Sequence, residues 1–196
     1  MNLIPGWMTR TECMILRELF SPYNSENCVG VEVGSFLGRS SWEISNSISL
    51  GKLYCIDKWD DWVFIKEDKN YNNKVLPDSG TKGNLTNFLK NTRGCNNIIT
   101  IQAACPNAIV DWNQQIDFLF LDAAHTNPSD REWIDYWLPK IKPGGILAGH
   151  DFDMSNTNRY PDIHANIRYL QTLLNKKVNI TRTVTQTETS IWYFDI

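Results

Sequence analysis

Apolar residues along this chain keep two alternating rhythms, a helical one and a strand-like one. Over residues 7–20, Met8, Cys13, Leu16, Leu19 and Phe20 recur at helical spacing and predict an amphipathic helix. The polar "SPYNSEN" after it is a loop, so residues 1–27 form an N-terminal helical segment. "CVGVEVG" at 28–34 is a short β-rich run closed by glycine. "RSSWEISNSI" carries a weaker helical pattern through Trp42, Ile44 and Ile48, and "KLYCID" at 52–57 predicts the next strand. Residues 58–80 are polar and irregular after the aromatics of "KWDDWVF". They predict a surface excursion long enough to serve as a lid. The pattern resumes with a helix in "NLTNFLKNT", a strand in "NIITIQA", a short helix in "PNAIVDW" and a strand in "IDFLFLD". "PSDREWIDYWLPKI" follows as a helix with Trp133, Ile134, Trp137, Leu138 and Ile141 in one stripe. Its cap is expected from Asn127–Pro128, or from Ser129 with Glu132 three positions on. A strand in "GGILAGHD", a helix in "HANIRYLQTLLNKK", and two β runs, "VNITRTVT" and "SIWYFDI", close the chain. The two runs are near enough to pair antiparallel.

Strands that alternate with helices predict an α/β fold, a mainly parallel sheet with helices on both faces. The early strands are continuous apolar runs, as a sheet covered on both sides requires. No repeat or compositional break divides the chain, so one domain over 1–196 is expected. In an open parallel sheet, ligands bind beyond the carboxyl ends of the strands. Here those ends carry Glu32, Gly34 and Gly38; Asp57; Ala104 and Cys105; Asp122 and His125; and His150 with Asp151. Two of the three histidines and four acids converge on one edge, which an inert sheet has no reason to arrange.

Composition narrows the partners. A net charge of −3 disfavours nucleic acid, whose phosphates need a basic surface. No apolar run is long enough to cross a bilayer, and "MNLIPGWMTR" lacks the pattern of a secretory leader, so a cytoplasmic setting is expected. The five cysteines show no CxxC spacing, and Cys28 and Cys55 read as small buried hydrophobes.

The turn Gly34-Ser35-Phe36-Leu37-Gly38 lacks the middle glycine of a pyrophosphate-binding turn, and Phe36 and Leu37 crowd it. Glu32 suits an ammonium better than a phosphate. Asp57 stands about 20 residues past the turn, the offset at which an acid binds ribose hydroxyls. Ribose, an amine and no phosphate describe S-adenosylmethionine. In this order, "VEVGSFLGRSS", "LYCIDKW", "FLFLDAAH" and "LPKIKPGGILAGHDF" resemble the motifs of class I SAM-dependent methyltransferases, and among them small bacterial O-methyltransferases of sugars and secondary metabolites. The resemblance spans roughly residues 5–155. It implies a Rossmann-like seven-stranded sheet with an antiparallel last strand. It implies that Gly34, Ser35 and Gly38 shape the methionine site, that Glu32 anchors the amine, and that Asp57 takes the ribose hydroxyls. Lys58 or Trp59 would cover the adenosine. Many relatives carry an acid after the third strand for the adenine amine. Here Ala104 stands there, so adenine must be read by backbone or another side chain.

Two devices could activate an acceptor hydroxyl. Asp122, His150 and Asp151 could bind a divalent metal, magnesium or manganese, that chelates the acceptor. Alternatively, His125 or His150 is the general base, with an aspartate fixing its tautomer. Two acids and a histidine facing one cleft would repel without a cation, which favours the metal. Asp122 then borders both the cofactor and the acceptor. The expected acceptor is a small molecule, a sugar or another polyhydroxylated metabolite, seated against the lid where Trp59 and Trp62 could stack on a ring. Small relatives often associate, so a homo-oligomer fits the resemblance. A SAM-binding module without catalysis would not need the His/Asp cluster. A nicotinamide-dependent oxidoreductase would want the absent glycine. His164 is expected to be solvated on a helix face.

Overall fold

The computed structural model describes residues 4–59, 84–109, 111–181 and 190–196. Residues 60–80 of the expected lid, Trp62 among them, lie outside the described residues. The elements in chain order are α1 (Arg10–Phe20), β1 (Val29–Val33), α2 (Arg39–Ser47), β2 (Lys52–Asp57), α3 (Asn84–Thr92), β3 (Ile98–Gln102), β4 (Ile116–Leu121), α4 (Ser129–Trp137), β5 (Ile141–Phe152), α5 (Pro161–Leu174), β6 (Asn179–Thr181) and β7 (Ser190–Asp195). The strands form one sheet in the order β3-β2-β1-β4-β5-β7-β6. The first five are parallel, and β7 runs antiparallel to both β5 and β6. The Rossmann-like sheet and its antiparallel last strand are therefore as expected. Strand order reverses beside β1, whose neighbours are β2 and β4, and this is where such a sheet opens a ligand crevice.

The two faces of β4 show why the sheet holds. Alternate residues point to opposite faces. Phe118 and Phe120 enter one apolar layer with Leu16 and Phe20 of α1, Ile44 of α2 and Phe88 of α3. Leu119 and Leu121 enter the other with Trp133 and Trp137 of α4 and Ile167 and Leu170 of α5. Phe118 and Phe20 meet with ring centroids 4.2 Å apart. Each large apolar side chain buried this way contributes about 1.5–3 kcal/mol, which is why a continuous apolar strand is stable only between two covered faces. Among the described residues, no helix is long and apolar enough to cross a membrane.

Two local expectations are corrected. Among its described residues, the connection from β3 to β4 has no α-helix, only a 3-10 turn at Pro106–Ala108. Pro106 starts that turn, but Ile109 returns to extended backbone and Asp111 has φ 60°, so no second helical turn can form. Trp112 covers this face instead, packing edge-on to Tyr54 and to Trp137, each at 4.7 Å between centroids. The start of α4 also differs, because Pro128 is its N-cap and no side chain caps it. Asn127 accepts a hydrogen bond from Asn166 of α5 instead (3.1 Å), and Asp130, inside the first turn, reaches back to accept from the Ala124 amide (3.2 Å).

Candidate active site

The glycine turn after β1 closes on β2. The Gly34 amide donates to the Ile56 carbonyl (2.8 Å), as does that of Ser35 (3.4 Å). The Phe36 amide donates to Asp57 Oδ2 (2.8 Å), and the Gly38 amide returns to the Ser35 carbonyl (2.8 Å). Four amides that would cradle a pyrophosphate thus point into the protein. Gly34 has φ 94°, and a Cβ on it would lie 2.5 Å from the Asp122 carbonyl carbon. Only glycine lets the ends of β1 and β4 come this close. The Asp122 amide completes the junction by donating to the Val33 carbonyl (2.9 Å).

Glu32 is fully buried beneath this turn. Its Oε2 accepts hydrogen bonds from Ser35 and Ser41, while its Oε1 is buried with no hydrogen-bond partner among the described residues. Burial pushes its pKa up, against the pull of the Ser40, Ser41 and Ser35 hydroxyls. A buried carboxylate oxygen without a donor is costly unless a ligand supplies one. An ammonium at the turn would, so the residues fit the methionine end of S-adenosylmethionine. Asp57 is pinned by two amides, those of Phe36 and of Trp59 (2.7 Å). Lys58 is exposed, and its carbonyl accepts from Gln102 Nε2 (2.9 Å); Ala104 is exposed beyond β3. Trp59 faces the protein interior. Its indole is buried, donates to the Phe36 carbonyl (2.7 Å) and packs on Phe88 at 4.9 Å. Its apolar ring finds more contact in the layer under the turn than in solvent.

Beyond β4 and β5 the acids and imidazoles meet. His125 Nε2 lies 3.1 Å from Asp151 Oδ2 and 3.7 Å from Asp122 Oδ1. One donor atom from each of Asp122, His125 and Asp151 falls within 4.8 Å of the other two, a set that could hold a metal ion. Carboxylate oxygens with one imidazole suit manganese, iron or zinc at least as well as magnesium. His125 and Asp151 both adopt left-handed backbone, at φ 57° and 62°, as do Phe36 and Trp59 at the ends of β1 and β2. Strained backbone at four strand ends along one edge is characteristic of a functional site. Tyr160 packs edge-on to His125 at 5.2 Å and walls the site on the α5 side.

His150, the expected third ligand, lies outside that donor set. It is buried, with Nε2 2.9 Å from Glu12 Oε1 and Nδ1 3.3 Å from Asp151 Oδ2 and 3.6 Å from Asp122 Oδ1. Burial alone would lower its pKa, but the carboxylates of Asp151 and Asp122 outweigh that and hold it well above the ordinary value. With Glu12 at one nitrogen and the two aspartates facing the other, both nitrogens of His150 are engaged by acids. Both imidazoles thus lie beside the same two aspartate oxygens. His164 is corrected too. It is buried against Phe152 at 4.7 Å, and burial lowers its pKa.

Sequence reasoning missed Glu12, Asp130 and Tyr160. The spacing Thr9-x-x-Glu12 was a visible capping-box signature, but its partner His150 is 138 positions away. Asp130 is buried beside the cluster, and burial first, with help from Asp122, raises its pKa to about 6. Nothing in the sequence marks Tyr160.

A methyltransferase-domain family matches residues 31–152 of the chain. No curated protein matches it. Among solved structures it is similar to an rRNA methylase from Streptococcus thermophilus (TM-score 0.64, 14% identity, covering 97% of this chain and 98% of that one). It is also similar to the O-methyltransferase TomG from Streptomyces achromogenes, solved with SAM (0.63, 14%, 96% and 81%), and to an O-methyltransferase from Bacillus cereus solved with SAH (0.62, 15%, 97% and 83%). At these identities the likeness is one of fold.

Proposed function

The chain belongs to the methyltransferase-domain family of the class I fold, and on that premise we propose that it moves a methyl group from S-adenosylmethionine to a hydroxyl of a small molecule, a sugar or another polyhydroxylated metabolite. The observation that carries this reading is the set of Asp122, His125 and Asp151 donors, gathered within 4.8 Å at the strand ends that adjoin the glycine turn.

S-adenosylmethionine, when bound, supplies a methyl carbon on a sulfonium that leaves as the neutral thioether. Glu32 would meet its ammonium from beneath the turn with the oxygen that has no donor, and Asp57, held rigid by two amides, would accept from the ribose hydroxyls. Asp122, His125 and Asp151 would hold a divalent cation, which when bound supplies a Lewis acid for the acceptor hydroxyl. The same three residues fix the acceptor opposite the methyl carbon, and such positioning supplies much of the rate of an in-line displacement. Aspartates of β4 and β5 are well placed for this because the Gly34 contact locks Asp122 against the turn. A second reading rests on the 3.1 Å contact between Asp151 and His125. There Asp151 orients His125, which takes the hydroxyl proton without a metal.

Transfer of labelled methyl from S-adenosylmethionine to a panel of hydroxylated small molecules, with and without manganese, tests the proposal. Label appearing in a metal-dependent, alkali-stable ether supports it. Turnover unaffected by EDTA selects the His125 reading, and transfer to nitrogen or carbon acceptors alone refutes the O-methyl assignment.

A further inference from the structure

We propose that Glu12, on the N-terminal helix, is a positioning residue of the active site, acting through His150. This rests on the reading of Asp122, His125 and Asp151 as the acceptor-binding cluster. Glu12 is the third residue of α1, and its Oε2 accepts from both the Thr9 amide and the Thr9 hydroxyl (2.7 Å each), completing a capping box with Thr9 Oγ1 on the Glu12 amide (3.2 Å). A capping box needs no burial, and such a glutamate ordinarily sits in solvent. This one is buried, and its second oxygen turns inward to His150 Nε2 at 2.9 Å. Burial pushes the Glu12 carboxyl up, and the His150 and Thr9 contacts together more than reverse that.

The geometry forces one orientation on His150. With a carboxylate at Nε2, that nitrogen carries its proton toward Glu12 and Nδ1 faces Asp151 and Asp122. The backbone of His150 is fixed as well, because its carbonyl accepts from Trp192 Nε1 of β7 (3.1 Å). Thr9, Glu12 and His150 therefore form a line of contacts from the start of α1 to the cluster, hydrogen bonds as far as His150 and then charge contacts of 3.3 Å to Asp151 and 3.6 Å to Asp122. Behind acidic ligands, hydrogen-bonded partners of this kind set ligand orientation and basicity. Asp122 and Asp151 then keep one arrangement because α1 is docked, and the N-terminal helix is part of the active site through His150.

Glu12→Gln tests this in the full-length protein. Glutamine preserves shape and can serve in the capping box, so far-UV circular dichroism is expected to match the wild type. Three measurements follow: the imidazole ¹H–¹⁵N spectrum, with the His150 signal identified by its loss in His150→Gln; manganese affinity; and S-adenosylhomocysteine affinity. In the wild type, His150 is expected to show a downfield Nε2 proton. In Glu12→Gln that resonance is expected to move or vanish, manganese affinity to fall about tenfold or more, and S-adenosylhomocysteine affinity to stay within about twofold, since Glu12 touches neither Glu32 nor Asp57. A residue that only caps its helix would leave the His150 resonance and manganese affinity unchanged, and that result overturns the proposal. Manganese binding absent from the wild type refutes the metal reading, and an unmoved His150 resonance then still overturns the role of Glu12. Failure of the wild type to bind S-adenosylhomocysteine refutes the proposed function and is read from a separate titration.

Discussion

Gly34→Ala places the whole account under strain at one atom. The new Cβ would sit 2.5 Å from the Asp122 carbonyl carbon and 2.8 Å from Ala123 Cα, with the Asp122 carbonyl oxygen nearer still. Ordinary contact begins at 3.4 Å, so the ends of β1 and β4 must part by more than about 1 Å, and both sides are backbone held by strand pairing. Overpacking of this kind costs about 1–3 kcal/mol. Holding alanine at φ 94° adds about 1–2 kcal/mol. For a domain of this size, a loss of about 2–5 kcal/mol lowers the thermal midpoint by roughly 5–15 °C. The displacement also reaches chemistry, because Asp122 moves with β4, and a 1 Å misplacement of a catalytic group costs on the order of 100-fold in rate. Thermal unfolding followed by circular dichroism reads the first effect, and manganese titration the second. Gly94→Ala is the control, since its Cβ would meet nothing within 4 Å, and it is expected to change stability by less than about 0.5 kcal/mol. A Gly34→Ala protein with the midpoint and manganese affinity of the wild type would refute the argument that this contact locks the site.

Asp130 gives a pH-dependent prediction. Its pKa is raised from 3.8 to about 6, so its buried carboxyl favours the folded state when neutral; that advantage is complete below pH 3.8 and is lost as pH rises through 6. The shift corresponds to about 3 kcal/mol, so Asp130→Asn should gain up to that amount relative to the wild type between pH 4 and pH 7 in urea unfolding, and a pH-independent difference would contradict the assignment. Trp137 is fully buried and touches Trp112 and Tyr136 edge-on at 4.7 and 5.0 Å. Trp137→Ala should cost about 3–5 kcal/mol, measured by the same urea titration, and a loss under 1 kcal/mol would mean that the α4 layer is not packed as described.

The fold was legible because its signals are local and periodic. β2 spans the six residues of "KLYCID", and α1 lies inside the apolar stripe of 7–20. The missing helix between β3 and β4 was not legible, because "PNAIVDW" has the spacing of a helix and only the extended backbone at Ile109 and the left-handed Asp111 stop it. Edge residues such as Asp57, Asp122 and Asp151 could be read off the strand ends, since the sheet dictates where they emerge. Which histidine joins them could not. His125 follows β4 and His150 lies inside the neighbouring β5, where its other nitrogen is taken by Glu12, a helix residue 138 positions away. The burial of Trp59 and His164 was not legible for a related reason. Both are amphipathic rings, and each buries its apolar body, against Phe88 and Phe152 respectively.

Calorimetric titration of the metal-stripped protein with S-adenosylhomocysteine and then with manganese, in the wild type and in Asp122→Ala, tests the central claim most directly. The account predicts that both proteins bind S-adenosylhomocysteine and that only the wild type binds manganese, because Asp122 supplies one of three donors while Glu32 and Asp57 are not among them. A folded wild type that does not bind S-adenosylhomocysteine, or an Asp122→Ala protein that binds manganese as tightly as the wild type, would contradict it.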